Sequence, residues 1–344
     1  MPGIYAEAFG QSGEEDKMSK VTVVIPNYNG KRFIEGCLRA VLSQAEGTPS
    51  YDVLVVDNGS DDGSEKYLRE LGNDRVRTIF LKKNTGFCHA VNVGIRESKA
   101  PFVILLNNDT EVESGFVRAL YEAIKDRKKV FSVSAKMLMW DSAGRIDDAG
   151  DLYTALGWHR ARGKGEPEER YDRPARIFSS CGGAAIYRKS VFERIGLFDE
   201  AHFAYLEDLD IGYRASLCGY VNLYEPKARV LHYGSGTTGS RYNETKIRLS
   251  AANNIYVIAK NMPVFQVLLN LPFLCAGFFA KFLFFAKKGY GRVYLKGLYE
   301  GVKKSCSEEG RRKRFIFKFI RLPHYIVVQA ELYLNIFRLI IKKY

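Results

Sequence analysis

Paired cysteines, targeting signals and, over most of the chain, net charge are all missing. The six cysteines (Cys37, Cys88, Cys181, Cys218, Cys275, Cys306) are dispersed and form no C-x-x-C pair. That excludes a zinc ribbon or a dithiol redox site and points to a reducing compartment. The first twenty residues carry Glu14, Glu15 and Asp16 and lack an apolar core of signal-peptide length. Residues 1–19 therefore read as a disordered leader without secretory targeting, and the sequons at Asn58, Asn108 and Asn243 are chance matches in a cytoplasmic chain. Residues 1–259 balance 35 bases against 35 acids, whereas Lys260–Tyr344 holds 17 bases and four acids, so the whole formal charge of +13 lies in the last quarter. That quarter is also rich in Phe, Leu and Tyr, which suits an anionic membrane surface better than a nucleic-acid groove. A soluble helical tail with a solvated basic face is the alternative.

The chain's 344 residues exceed one ordinary domain of roughly 100–200, so a large domain with an appendage is expected. Val21–Pro26 reads as a buried strand, followed by the turn Asn27-Tyr28-Asn29-Gly30 and a helix over about 32–44. Tyr51–Asp57 repeats the device, Val76–Leu81 is a third strand, and Asn84-Thr85-Gly86 precedes a helix. Phe102–Leu106 is a fourth strand, ending in Asn107-Asn108-Asp109-Thr110. Alternating strands and helices predict a doubly wound, mostly parallel sheet. Its strands end on one rim, where ligands bind. An acid there accepts hydrogen bonds from ribose hydroxyls or a base imide, as Asp57 would, or holds a cation against a phosphate, as Asp109 would. For either residue alone, plain turn chemistry is the competing reading.

Beyond Phe131 the pattern loosens. Val133–Met139 is a strand, and the polar, glycine-rich stretch 144–176 reads as a long active-site loop or lid. Cys181-Gly182-Gly183-Ala184-Ala185 suits close approach of a ligand to backbone, or a bulged, tightly packed strand. Glu207-Asp208-Leu209-Asp210 crowds acids into a helix's first turn, as capping or as a general base facing a cleft. Val221–Leu231 reads as two short strands split by Glu225-Pro226, ending near His232, either structural or a ligand for a manganese-like ion. The run Gly234–Gly239 matches G-x-G-x-x-G, but no βαβ unit follows to make it a dinucleotide site. Beyond Glu244 a helix runs to Asn261, and Val264–Phe285 is the longest apolar segment, interrupted by Gln266, Asn270, Pro272 and Lys281. It reads as a kinked helix lying in a membrane interface, with a true span or a soluble core helix as alternatives.

Taken in order, these motifs resemble those of the family 2 inverting glycosyltransferases over about residues 20–240. Val24-Ile25-Pro26-Asn27-Tyr28-Asn29 resembles the family's first strand and nucleotide-contacting turn, and Val56-Asp57-Asn58-Gly59-Ser60 its base-binding segment. Asn84-Thr85-Gly86-Phe87 with Asn92 resembles the next nucleotide-lining segment, and Asn107-Asn108-Asp109 stands at the Asp-x-Asp metal motif. Glu207-Asp208 resembles the acid pair whose second member is the base, and His232 the metal-binding histidine of several members. The resemblance implies an α/β GT-A fold with a Rossmann-like nucleotide half over 20–243 and a helical, basic, membrane-associating region over 244–344. It implies Pro26, Tyr28, Asn29, Asp57, Asn84, Gly86, Asn92 and Asn107 on the nucleotide, and Asp109 with His232 on Mg²⁺ or Mn²⁺. It further implies Asp208 as base, with Gly182, Gly183 and Glu207 at the acceptor. Asn107 departs from the motif's first Asp, so Asp109 would carry the ion alone or with His232. The missing Gln-x-x-Arg-Trp segment of processive synthases argues for addition of one sugar. Rhamnosyltransferases of surface-polysaccharide assembly are the nearest subgroup by the Leu-Asn-Asn-Asp and Glu-Asp-Leu-Asp wording. Expected partners are a dTDP- or UDP-sugar donor, a glycan or lipid-linked glycan acceptor and an anionic membrane at the inner face of the plasma membrane, with no nucleic acid. The alternative, favoured by Asn107 and the amphipathic tail, is a non-catalytic nucleotide-sugar-binding or membrane-scaffold protein.

Overall fold

Strands β1 (Val21–Asn27), β2 (Tyr51–Asp57), β3 (Val76–Phe80) and β4 (Phe102–Leu106) make the parallel half of the sheet; β1, β2 and β4 are largely buried apolar runs, whereas β3 is a partly exposed edge strand. They were located in a computed structural model, which describes residues 19–234 and 243–341. The expected leader lies outside the described residues except for its last position, as does most of the Gly234–Gly239 run. The strands pair in the order β3-β2-β1-β4, and the register sets Asn27 beside Asp57. Val21, Val23, Val24 and Ile25 are all fully buried because helices cover both faces of this half. Helix α1 (Lys31–Leu42) buries Ile34, Cys37, Leu38 and Val41 at helical spacing against one face. Between β2 and β3 runs α2 (Ser64–Glu70), and α3 (Phe87–Glu97) packs Cys88, Val91 and Ile95 on the other face.

The chain continues through β5 (Thr110–Val112), α4 (Phe116–Ile124), β6 (Val130–Met139), β7 (Ile146–Asp148), β8 (Asp151–Tyr153), β9 (His159–Ala161) and β10 (Ala175–Ile177). It returns by β11 (Ala184–Arg188), α5 (Lys189–Ile195), α6 (Glu207–Leu217) and β12 (Val221–His232). The full order is β10-β12-β6-β11-β4-β1-β2-β3, with β11 antiparallel to both β4 and β6. This is the expected α/β architecture, a mostly parallel sheet with a nucleotide-type half.

Two expectations are corrected. The stretch 144–176 is not a structureless loop: β7 pairs with β6, β8 and β9 form a hairpin, β10 pairs with β12, and Ala149, Leu152, Tyr153 and Tyr171 are buried. Val221–His232 is one strand rather than two, and Pro226 falls where the pairing with β6 slips between Glu225 and Arg229, so its missing N–H breaks no ladder.

Among the described residues five α-helices follow: α7 (Glu244–Asn261), α8 (Val264–Lys287), α9 (Gly291–Cys306), α10 (Glu308–Arg312) and α11 (Leu322–Ile341). They share a core with the rest, in which Val257, Leu274, Tyr325 and Leu332 pack with Tyr153, Phe178, Leu209 and Tyr213. A buried ion network also joins them: Lys260 Nζ lies 2.7 Å from Asp199 Oδ2 and 2.9 Å from Asp210 Oδ2, and Arg214 Nη2 lies 2.8 Å from Asp210. Helix α8 is inverted relative to a soluble helix. Gln266, Asn270, Leu274 and Gly277 face inward, while Val264, Leu268, Leu269, Phe279 and Leu283 are exposed. Its amides are matched by Tyr213, whose hydroxyl donates to Gln266 (3.1 Å), and by Gln329 on α11, which accepts from both Gln266 and Asn270 (2.9 Å each).

Candidate active site

Side by side at the rim, β1 and β2 present Asn27 and Asp57. Asp57 Oδ1 accepts from Asn27 Nδ2 and Ser60 Oγ, both at 2.7 Å, and its Oδ2 accepts from the Ser60 amide at 3.1 Å. Asn27 Oδ1 in turn accepts from Asn108 Nδ2 at 2.7 Å, linking the ends of β2, β1 and β4 through three side chains. The turn between β1 and α1 is held by Asn29, at φ 49°, whose Oδ1 accepts from the Asp61 amide at 3.0 Å. Pro26 closes this strand end and Tyr28 is part-exposed beside it. Asn84 is fixed by donation from Asn58 Nδ2 (3.2 Å) and the Gly86 amide (2.9 Å).

Asn92 departs from this rim. Its Nδ2 donates to the Phe198 carbonyl (2.8 Å) and Glu200 (3.0 Å), and its Oδ1 accepts from the Phe198 amide (3.0 Å). The buried amide is thus taken up in tying α3 to the segment before α6. Gly86 has a steric reason to be glycine: at φ 87° a Cβ would lie 2.7 Å from the Phe203 carbonyl oxygen.

Asp109 follows Asn108 directly. Its Oδ1 lies 3.4 Å from His232 Nε2, while His232 Nδ1 donates to Asp147 Oδ2 at 2.6 Å, and Lys164 pairs with the same Asp147. Burial disfavours charge on His232, but the hydrogen bonds to Asp109 and Asp147 outweigh it and lift its pKa to about 9. Once the Nε2 proton between them is given up to an incoming cation, Asp109 and His232 Nε2 together can hold it with one oxygen and one nitrogen, the ring oriented by a carboxylate on its far nitrogen. Among the described residues no cluster of three or more metal-ligating side chains forms.

Glu207 and Asp208 open α6, after a turn in which Phe203, Tyr205 and Leu206 all have positive φ (62°, 71° and 65°). Such backbone costs of order 1–3 kcal/mol per residue and persists only where its surroundings impose it. Here Asn253 on α7 imposes it, donating through Nδ2 to the carbonyls of His202 (2.9 Å), Ala204 (2.9 Å) and Tyr205 (2.8 Å). Glu207 Oε2 and Asp208 Oδ1 are buried and have no hydrogen-bond partner among the described residues. Burial, the neighbouring Glu207 and nearby Asp151 push the Asp208 carboxyl well up, and Glu207 is raised chiefly by burial.

Gly182 and Gly183 join the two halves. A Cβ on Gly182 would lie 2.7 Å from Asp208 Oδ1, and one on Gly183 would lie 3.0 Å from Asn107 Nδ2. Their smallness therefore accommodates this chain's own polar side chains, bringing the end of β4 and the start of α6 against one turn. The sequence reading missed Asp147, Asp148, Asp151 and His159. Asp151 receives His159 Nε2 at 2.7 Å and the Ser179 hydroxyl at 3.1 Å. Burial beside Asp151 and Asp147 raises Asp148. The signal available was the acid spacing Asp147-Asp148-x-x-Asp151 inside a stretch read as loop.

The model of Glycosyl transferase family 2 matches residues 22–196. The chain is 30% identical over 244 residues to the N-acetylglucosaminyl-diphospho-decaprenol L-rhamnosyltransferase of Mycobacterium tuberculosis, covering 63% of this chain and 77% of that one. In fold it is similar to S. aureus TarS in complex with UDP-GlcNAc, with a TM-score of 0.56, 16% identity and coverage of 92% of this chain and 89% of that one. It is also similar to the mannosyltransferase PcManGT of Pyrobaculum calidifontis in complex with GDP-Man and Mn²⁺, with a TM-score of 0.51, 18% identity and coverage of 95% and 88%. These likenesses are of GT-A folds.

Proposed function

The chain belongs to glycosyl transferase family 2, and from that premise we propose that it moves one sugar, with inversion, from a nucleoside-diphosphate donor to a hydroxyl of a glycan or lipid-linked glycan. The observation that carries this reading is the buried, unpartnered Asp208 carboxylate oxygen at the imposed start of α6. A carboxylate held above its ordinary range takes a hydroxyl proton more readily than a free one. Asp208 removes the acceptor's proton, the acceptor oxygen forms its bond to the anomeric carbon, and the bond to the diphosphate breaks on the opposite face. Asp57, fixed by Asn27 and Ser60, holds the nucleotide with the turn Pro26–Asn29 and with Asn84, Gly86 and Asn107. Glu207 and the turn at Gly182-Gly183 border the acceptor.

Asp109 and His232 are the residues that would hold Mg²⁺ or Mn²⁺, a fit supported by their convergence and by Asp147 on the far ring nitrogen. Such an ion, when bound, offsets charge on the leaving diphosphate. The name of the mycobacterial relative supports rhamnose and a lipid-diphosphate acceptor, with a dTDP- or UDP-sugar as donor. The inverted α8, with mean hydropathy 1.9 over its most apolar stretch, supports attachment to the inner face of the plasma membrane. The division into a catalytic domain over 20–243 and a membrane-associating region over 244–344 belongs to the same proposal.

Asp208→Asn tests the mechanism. It should lower transfer by about 10²-fold or more while nucleotide affinity, followed by titration calorimetry, stays within error. Normal turnover in that variant would remove Asp208 as the base.

A further inference from the structure

We propose that the cleft between the β8–β9 hairpin and helices α7, α8 and α11 receives the phosphate of a lipid-phosphate acceptor, with Lys281 as its cationic ligand. The inference rests on the glycosyltransferase reading above and names the acceptor class it would take.

Lys281 interrupts the longest apolar run of the chain. Its Nζ has one polar contact, the Gly157 carbonyl at 3.5 Å, and forms no ion pair among the described residues. An ammonium so placed is costly unless an anion joins it. It stands between two cavities, of about 240 Å³ and about 410 Å³, and both are lined by Lys281 and His159. The smaller lies toward the acids: Leu206, the residue before Glu207, lines it, and His159 is bonded to Asp151. Tyr294 lines this cavity too, and its buried hydroxyl has no hydrogen-bond partner among the described residues. The larger cavity is bordered by Trp158, Ile336 and Ile340, and Ile340 belongs to the exposed apolar face of α11.

Polarity is therefore graded along one path. The acids stand beyond the inner cavity, which is lined by the Tyr294 phenol, Lys246 and Asn254; Lys281 borders both cavities, and the outer one is lined by apolar side chains with Arg160 among them. A sugar hydroxyl, a phosphate ester and a hydrocarbon chain have the same order. The hairpin fixes the path, since the Trp158 indole donates to the Gly277 carbonyl of α8 at 2.9 Å and the Ala155 amide to Leu332 of α11 at 3.1 Å.

The test is titration calorimetry of the full chain in neutral detergent with farnesyl diphosphate, inorganic pyrophosphate and farnesol. Farnesyl diphosphate should bind more tightly than either other probe. Lys281→Met should weaken it about tenfold, the size of a lost charge-assisted hydrogen bond, with Lys281→Arg recovering most of the affinity. Tyr294→Phe, which keeps the ring packing, should weaken it by a few-fold. UDP and dTDP binding should be unchanged in all three variants. Equal affinity in Lys281→Met would overturn the proposal, as would pyrophosphate or farnesol binding as tightly as farnesyl diphosphate. Failure of the wild type to bind any nucleoside diphosphate would instead overturn the glycosyltransferase reading, whatever the farnesyl diphosphate result.

Discussion

Asp208 and Asp210 stand two positions apart on α6 and have opposite environments. At about 100° per residue they point to nearly opposite sides of the helix. Asp208 faces Gly182 and other acids, and burial, Glu207 and Asp151 hold its carboxyl up. Asp210 is buried as well, but Arg214 and Lys260 overcome the burial and hold it well below the usual carboxylate range. A base with a raised pKa works only above that pKa, so the acid limb of kcat/KM should lie above the ordinary carboxylate value of about 4. Activity is lost as pH falls through the limb. Glu207→Gln removes the charge that most favours protonation of Asp208 and should move the limb to lower pH, whatever it does to the maximal rate. A pH–rate profile in which the limb stays put or rises would show that Glu207 does not act on the base. Asp210 contributes stability with the other sign, present above the ordinary carboxylate range and lost only as pH falls far below it. The Glu-Asp-Leu-Asp run revealed both acids, but the cations that separate them, Arg214 and Lys260, arrive from four and fifty positions away. The rim position of Asp57 was legible because a parallel strand carries its last residue there, and Asp109 follows the end of β4 by three positions. Asn92 was misplaced because an amide on a helix gives no sign of which carbonyls it will meet.

The elements divide in the same way. Five-residue and seven-residue buried strands such as β4 and β1 declare themselves through unbroken apolar runs. The three-residue strands β7, β8 and β9 are too short to show alternation, and each exists through a partner elsewhere. That is why 144–176 read as loop and why Asp147 and Asp151 went unnoticed. The turn before α6 was equally hidden, since Phe203, Tyr205 and Leu206 are residues that disfavour positive φ. Their conformation is set from α7 by Asn253, whose Oδ1 also accepts from Lys304 Nζ at 2.9 Å. Asn253→Ala should release the turn. We expect kcat to fall about tenfold, the scale of a one-ångström misplacement or less, with KM for the donor near wild type because the rim at Asp57 and Asn27 is untouched. Steady-state kinetics would decide it, and an unaltered kcat would mean that the turn holds itself. Asn253 thus positions Asp208 without touching substrate, and it ties a helix beyond the family-matched stretch, residues 22–196, to the candidate base.

At the scale of the whole molecule, the charge and the apolar surface of the C-terminal helices must be read together. Composition located both, because all net charge falls in residues 260–344. It misjudged Gln266 and Asn270, which read as interruptions of an apolar run. In three dimensions they turn inward to Tyr213 and Gln329 and leave α8 with an outward face of Leu, Val and Phe. Helix α11 completes this surface with Ile326, Leu334 and Phe337 exposed. An apolar face of this extent is unstable against water and suits a lipid boundary. The polar seam beneath it bonds α8 to α11, so α8 cannot cross a bilayer alone without breaking those bonds or taking α11 with it. An interfacial placement keeps the seam intact and lets the surrounding Lys and Arg meet anionic headgroups, at about 1 kcal/mol for each one near the surface. The full chain should therefore float with vesicles containing phosphatidylglycerol, bind neutral phosphatidylcholine vesicles more weakly, and lose part of its binding at about 0.5 M salt, roughly three times the physiological ionic strength at which the screening length is about 8 Å. Alkaline carbonate should then release it, because a helix pair lying in the interface has no hydrocarbon span to hold it. Retention after carbonate would favour a crossing helix pair, and equal binding to neutral and anionic vesicles would remove the basic residues from the attachment.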